Sequence, residues 1–383
     1  METVVKDVAI IGGGLIGCTA ALELAERGAS VIVVERGYVG AQASGTNFGL
    51  HRRQNRAFPQ LPLSNRAVEL WRDLERRVGD TFEFNPCGHF RFALDDADMA
   101  MIEKYAEGAK PYGFDIELVS KAEVRRRWPW LSDKVIGGGY AAEDGCSNPR
   151  LVTPAIARKV RALGATVLQN CAATRCQRTD TGFTVETEGG PRIEARFLIN
   201  AAGGWAHRIA EQFGERVPLG VMAPPEIVTE PVPFFMTPIV QRAVSTVVIR
   251  QIDRGNIIIG GQPRGFADNV ADRAYVAPTS TLANLRKAME VVPALRTVHL
   301  IRVWSGIESV LPDSIPIIGP STTTPGLFHA FGFSGNGYQV GPAVGEVLAQ
   351  LVLDGTTPIP IEAFTIKRFQ TGQPVADTSS KIH

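Results

Sequence analysis

Val4-Val5-Lys6-Asp7-Val8-Ala9-Ile10-Ile11 followed by Gly12-Gly13-Gly14-Leu15-Ile16-Gly17, and then, after Gly28, Ser30-Val31-Ile32-Val33-Val34-Glu35, decide the fold. The first run reads as a buried parallel strand, with its charges, Lys6 and Asp7, near the start. Gly12 permits a tight strand-to-helix turn. Gly14 lets the backbone approach a pyrophosphate, and Gly17 lets the helix pack closely on the sheet. A helix is predicted over Leu15–Arg27, with Ile16, Ala20, Ala21 and Leu24 facing inward. Its free N–H groups and dipole favour an anion beside Leu15 and Ile16. The next strand ends at Glu35, where a carboxylate can accept hydrogen bonds from an adenosine ribose, with Arg36 adjacent. The unit therefore predicts an adenine dinucleotide with an unphosphorylated ribose. It does not by itself separate FAD from NAD.

Three more glycine-rich segments bear on that choice. Gly40 to Gly49, including Ser44, Gly45, Asn47 and Phe48, is a small-residue stretch suited to close passage of a cofactor. A strand predicted near 196–202 ends in Ala202-Gly203-Gly204-Trp205. Gly332-Phe333-Ser334-Gly335-Asn336-Gly337-Tyr338 precedes a helical pattern near 341–353. Segments so far apart in one chain suit a long, extended cofactor, so FAD is expected rather than a dissociable nicotinamide.

The bulk composition narrows the function classes. The chain has 383 residues, 44% hydrophobic and 21% charged, with a formal net charge of +1. That length predicts two domains or one large α/β unit. No broad basic tract exists, because Arg125-Arg126-Arg127 gives way at once to Trp128-Pro129-Trp130, so nucleic acid is not an expected partner. Five cysteines, without a C-x-x-C pair, predict reduced thiols and neither a metal nor an iron–sulfur site. No secretory pattern and no long apolar run is seen. A cytoplasmic protein without a membrane span is expected, with peripheral contact through an electron acceptor left open.

The ordered set of these motifs resembles the D-amino-acid-oxidase-type family of FAD-dependent oxidoreductases, which includes glycine and sarcosine oxidases and the flavin subunits of opine dehydrogenases. The resemblance spans nearly the whole chain. It also rests on Asp144-Gly145 with Pro149, on Arg302-Val303-Trp304-Ser305-Gly306 and on Pro312-Asp313 with Pro316 and Gly319. It implies an α/β fold: a Rossmann-like FAD-binding domain from residues 1–85, 145–220 and 300–371, interleaved with an α+β substrate domain from 86–144 and 221–299. The substrate domain is expected to hold a mainly antiparallel sheet, because 226–229, 245–251 and 256–261 are short branched apolar runs. Helical pattern is seen within 98–128 and 282–292. Residues 372–383 read as a loose tail.

The resemblance implies oxidation of a C–N bond in a secondary or D-amino acid, by hydride transfer to flavin N5 followed by hydrolysis of the imine. The flavin supplies the redox chemistry and the protein supplies orientation and charge. Within it, the Gly332–Gly337 loop would run beside the flavin ring. Asn336 stands where many relatives carry His, so charge tuning by that side chain would be weaker. Asn47, Phe48, Gly49 and His51 would approach the flavin, and Arg52 would face either the pyrophosphate or a substrate carboxylate. Arg302, Trp304 and Gly306 belong to the substrate motif. Glycine-oxidase-like members place an arginine two residues after that glycine; here the position is Glu308, which favours a cationic arm, as in the opines octopine and nopaline. With no cysteine after Cys176, FAD is expected to be non-covalent. Partner subunits carrying FMN or an iron–sulfur cluster would complete a hetero-oligomeric dehydrogenase. A self-contained glycine, sarcosine or D-amino-acid oxidase that forms hydrogen peroxide is the alternative, and an NAD-dependent dehydrogenase is a more distant one. Pro224, Pro225, Pro231, Pro233 and Pro238 predict a sharply directed loop, either a lid over the site or a rigid surface loop.

Overall fold

The computed structural model describes residues 2–370, so the expected loose tail lies outside the described residues. The strand Thr3–Ile11 lies between Val31–Val34 and Arg192–Asn200, parallel to both. Thr166–Leu168 extends this sheet on one side. On the other side Leu327–Phe331 joins in parallel, and Ile317–Pro320 closes the edge antiparallel. The apolar run at the start of the chain is continuous because both faces are covered. Val8, Ile10, Val31 and Val33 pack with the helices Leu15–Glu26 and Gly337–Leu353. Ala9, Ile11, Ile32 and Val34 pack on the opposite face with Ile193 of Arg192–Asn200 and with Phe183 and Val185 of Phe183–Glu188, which pairs antiparallel to it.

The second sheet runs in the order Leu300–Trp304, Glu226–Pro231, Asn256–Gly261, Val247–Gln251, Ile239–Arg242, His89–Ala93, Gly137–Ala141, Glu117–Ser120. All of its pairings are antiparallel except Ile239–Arg242 with His89–Ala93. The fold is thus an α/β nucleotide-binding region interleaved with a mixed-sheet region. One strand departs from the expected division: Leu300–Trp304 pairs with Glu226–Pro231, so this sheet, not the nucleotide-binding one, receives it. The strand Glu117–Ser120 lies in a stretch whose sequence pattern is helical on either side. Gly137-Gly138-Gly139 has poor intrinsic strand preference, yet it pairs throughout because the sheet comes too close for side chains: a Cβ at Gly138 would lie 2.3 Å from the Arg91 carbonyl oxygen.

A buried polar knot ties the nucleotide-binding sheet to its edge. The Glu215 carboxylate accepts hydrogen bonds from His329 Nε2 at 2.8 Å, Thr322 N at 2.7 Å and Ser321 Oγ at 2.7 Å. Although burial opposes its charge, these donors hold Glu215 down to about 2. The depressed value means that the stabilisation is complete above the ordinary carboxylate range and fades as pH falls toward 2. Replacing Glu215 by Ala strands these donors. Thermal unfolding at neutral pH is expected to show a loss on the order of 3 kcal/mol, shrinking in acid.

Candidate active site

The loops at the carboxyl ends of the central strands open into one cavity of about 910 Å³. It begins at Gly12, Gly14, Leu15, Ile16, Glu35 and Arg36 and reaches Glu308, Ser334, Gly335, Gly337 and Tyr338. Ser44, Asn47, Phe48, Ala202, Gly203 and Trp205 line it between these ends.

At the dinucleotide end, Gly12 has φ of 111°, and a Cβ there would lie 2.4 Å from the Ala201 carbonyl oxygen. Gly14 precedes the helix without a side chain of its own; Ser44 Oγ accepts instead from Leu15 N at 2.8 Å. No acidic residue stands in the first helical turn. A helix start of this kind presents positive potential to the cavity. Glu35 accepts from Gly13 N and Gly37 N, each at 2.7 Å, which fixes its carboxylate at the strand end, and each oxygen keeps a further lone pair. The Arg36 guanidinium lies 3.6 Å above the Trp205 ring and pairs with Asp272 at 2.7 Å. The hairpin formed by Phe266–Asp268 and Arg273–Tyr275 is thereby drawn to this end, and Trp205 Nε1 donates to the Asn269 carbonyl between its strands. The cradle fits a pyrophosphate between the helix start and an acidic strand end. These residues would hold the adenosine and pyrophosphate of an FAD whose ring supplies two-electron redox chemistry at the other end.

At that other end, Ser309 and Ser334 lock the Gly332–Gly337 loop. Ser334 N donates to the Ser309 carbonyl at 3.0 Å, and Leu311 N donates to Ser334 Oγ at 3.1 Å. Asn55, Ser245, Ser314 and Ser334 have φ between 53° and 62° and all line the cavity. Left-handed backbone at non-glycine residues is uncommon and gathers at functional sites.

Several residues that the sequence placed at the site lie elsewhere. His51 does not line the cavity. Between Asn47 and Arg52, Phe48, Leu50 and Arg52 face it, and the period of an extended chain turns His51 the opposite way. His51 Nε2 meets Ser147 Oγ at 2.8 Å, and its ring centroid lies 4.1 Å from that of Trp71. Burial, with Arg250 and Arg56 nearby, holds it well below the usual histidine range, so it is a neutral packing residue. Arg302 is exposed on the edge strand and Trp304 Nε1 donates to the Thr46 carbonyl at 2.9 Å; neither lines the cavity. Gly17, Gly45, Gly49, Gly306 and Gly332 do not line the cavity. In the proline-rich stretch Pro224 lines the cavity, whereas farther on Phe235 N and Met236 N both donate to Gln251 Oε1 and Met236 is buried in the second sheet's core.

Asn336 is buried just outside the cavity. Its Oδ1 accepts from Arg52 Nη2 at 3.3 Å and its carbonyl from Arg56 Nη1 at 2.7 Å. The uncharged Asn336 is therefore held by two cations, and one of them, Arg52, lines the cavity. The sequence reading also missed Glu226, Gln241, Gln262 and Arg264, which line the cavity from the second sheet and the turn after it. Glu226 was legible only as a strand residue; its charge, at the head of an otherwise apolar run, was the unused signal. Burial holds Glu226 well above the usual carboxylate range; the nearby Arg250 opposes it, and Glu308 adds a smaller upward push. Among the described residues no group of three or more His, Cys, Asp or Glu is placed to hold a metal ion, and no helix is long and apolar enough to cross a membrane.

Known proteins share this architecture. The sarcosine oxidase beta chain of Rhizobium meliloti (strain 1021) is 29% identical over 378 residues, covering 96% of this chain and 89% of that protein. An opine oxidase subunit from Rhizobium meliloti is 26% identical, covering 96% and 98%. The crystal structure of L-proline dehydrogenase from P. horikoshii superposes with a TM-score of 0.87 at 27% identity, over 97% of this chain and 99% of that one. The family described as DAO, FAD dependent oxidoreductase, matches residues 7–351. The match takes in the dinucleotide cradle, both sheets and the Gly332–Gly337 loop, and it displaces the NAD-dependent alternative: the chain belongs to the DAO family of FAD-dependent oxidoreductases.

Proposed function

We propose that the protein is an FAD-dependent dehydrogenase that oxidises the C–N bond of a secondary or D-amino acid, with opines such as octopine and nopaline as the preferred class. The observation that carries this reading is the charge pattern of the cavity beyond the dinucleotide cradle: Arg52 lines it together with Glu226 and Glu308, with Arg264 on the side of Glu308. An amino acid offers a carboxylate for the arginine, and an opine derived from arginine adds a cation for the acids. Arg52 presents a fork suited to a carboxylate. Its neighbour Asp144 is engaged by Arg53 through both Nε and N, so it does not neutralise Arg52 directly.

In the reaction, the C–H hydrogen would leave with its bonding pair as a hydride equivalent accepted by the FAD, the nitrogen lone pair would form the C=N bond, and the N–H proton would pass to solvent to leave the imine. Water then adds to the imine and releases a carbonyl compound and an amine. The chain's part is to orient the amine with Arg52 at its carboxylate and to keep the reacting carbon beside the Ser334–Gly337 loop. We propose a partner protein as electron acceptor, with any FMN or iron–sulfur cluster carried there. Leu300, Ile301 and Val303 are exposed on an edge strand, a surface that proteins usually cover. The names of the sarcosine and opine oxidase relatives, both subunits, support the same reading.

The test is an anaerobic substrate panel with the FAD-loaded protein. Octopine and nopaline are expected to bleach the visible flavin band faster than glycine, sarcosine, D-proline or D-alanine. Rapid bleaching by glycine or sarcosine with none by the opines would overturn the substrate preference. Rapid peroxide formation by the isolated chain in air would favour the self-contained oxidase.

A further inference from the structure

Glu226 is 3% exposed, lines the cavity, and its Oε2 has no hydrogen-bond partner. A buried carboxyl oxygen left in that state is costly unless a ligand completes it. Glu308 lines the same cavity, and its Oε2 lies 3.6 Å from where a Cβ of Gly335 would stand, which places it at the Gly332–Gly337 loop. Glu226 feels the charge of Glu308, and both stand on short strands that fix their positions.

The charged groups around Glu226 are few. From Val247–Gln251 comes Arg250, itself buried, with Nε lacking a partner and its guanidinium 5.2 Å from the Phe48 ring centroid. From Leu300–Trp304 comes Arg302, exposed and 5.8 Å from the Trp304 ring centroid. Glu308 comes from Glu308–Val310, and Arg264, exposed after the turn, feels Glu308. Asn256–Gly261 and Gly220–Met222 contribute no ionisable side chain. Arg250 alone does not bring Glu226 into the usual carboxylate range, because burial outweighs it, with a smaller contribution from Glu308. Burial therefore favours the protonated form of Glu226 in the free site.

We propose that Glu226 and Glu308 form a two-carboxyl subsite for the cationic arm of the substrate, a guanidinium or ammonium group, and that Glu226 releases a proton to solvent when that arm binds. This deepens the functional reading above and rests on it. The step balances simply: the Glu226 O–H bond breaks, the electron pair stays on the carboxylate, the proton goes to buffer, and nothing is oxidised. A cation between the two carboxyls favours the charged form of Glu226 against the burial that raises it, and offsets the smaller repulsion from Glu308.

The probe is 4-guanidinobutyrate, which carries a carboxylate and a guanidinium but no oxidisable amine, with hexanoate as the uncharged-arm control. Each is titrated into the FAD-loaded chain, following the flavin spectrum and the heat in two buffers of different ionisation enthalpy. The guanidine compound is expected to bind with release of close to one proton per site. Its affinity should rise with pH, by up to about tenfold per unit below the titration of Glu226. Hexanoate should bind without release. In E226Q the release disappears and the preference for the guanidine compound over hexanoate falls by about tenfold or more, the change that one unit of lost linkage gives. The flavin spectrum of the free variant shows whether it has folded and loaded. Equal binding of both probes without proton release, or release that persists in E226Q, overturns the subsite. If the same preparation bleaches with amino acids while the subsite test fails, only the subsite is wrong. If no amine bleaches it at all, the reading on which the subsite rests is wrong and the proposal falls with it.

Discussion

Gly14→Asp is expected to give a folded protein that purifies without its yellow colour. Gly14 has φ of −75° and ψ of −178°, an extended conformation open to any residue, and the only heavy atom within 4 Å of an added Cβ, its chain neighbours aside, is Ser44 Oγ at 3.0 Å. Asp at this position is also among the preferred residues to begin a helix, so stability should hold or rise slightly. The same carboxylate would stand at the helix start that favours an anion. Two unit charges about 4 Å apart repel by about 4 kcal/mol at an effective dielectric of 20. Even part of that, at 1.4 kcal/mol for each factor of ten, predicts FAD binding weakened by at least about 100-fold. The measurements are the melting temperature of the apoprotein and the affinity for added FAD. Retained FAD at wild-type affinity would mean that the cradle does not hold the pyrophosphate.

The cradle was readable in the sequence because its constraints are local. A strand, a turn that excludes side chains, a helix start and a terminal acid lie within 35 residues, and each follows from backbone geometry. The far end was readable only in part. His51 and Arg52 are adjacent and equally polar, and the direction of the chain between Asn47 and Arg52 decides which faces the cavity; counting in twos from Phe48 would have chosen Arg52. Glu226 could not be found in that way. It meets Glu308 in the cavity only because Glu226–Pro231 and Glu308–Val310 are brought there by separate pairings, with Leu300–Trp304 and Gly220–Met222. Such a juxtaposition depends on tertiary packing between stretches far apart in the chain. The strand Glu117–Ser120 was hidden for a related reason: it is a single edge strand, and its partner is a run of glycines.

Arg52→Met is expected to separate the recognition of the substrate from the retention of the cofactor. Arg52 is buried, lines the cavity, and donates to the Gln54 carbonyl and to Asn336 Oδ1. Burial holds it below its ordinary value, yet a guanidinium remains charged across the working pH range. Removing one partner of a buried charge pair costs about 2–5 kcal/mol, so kcat/KM for a carboxylate-bearing amine should fall by between about 30-fold and several thousand-fold. The loss should appear mainly in KM if Arg52 binds substrate and transition state alike. Arg52→Lys keeps the charge but not the fork and should recover only part of the activity. A structural role through Asn336 predicts something different, because Arg56 Nη1 holds the backbone of Asn336 independently of Arg52. If Arg52 served only to steady the Gly332–Gly337 loop, its loss would lower FAD content and would slow the corresponding carboxamide substrates as much as the carboxylates. The comparison of each acid with its amide therefore decides the matter: a penalty confined to the acids assigns the substrate carboxylate to Arg52, and an equal penalty on both removes that assignment.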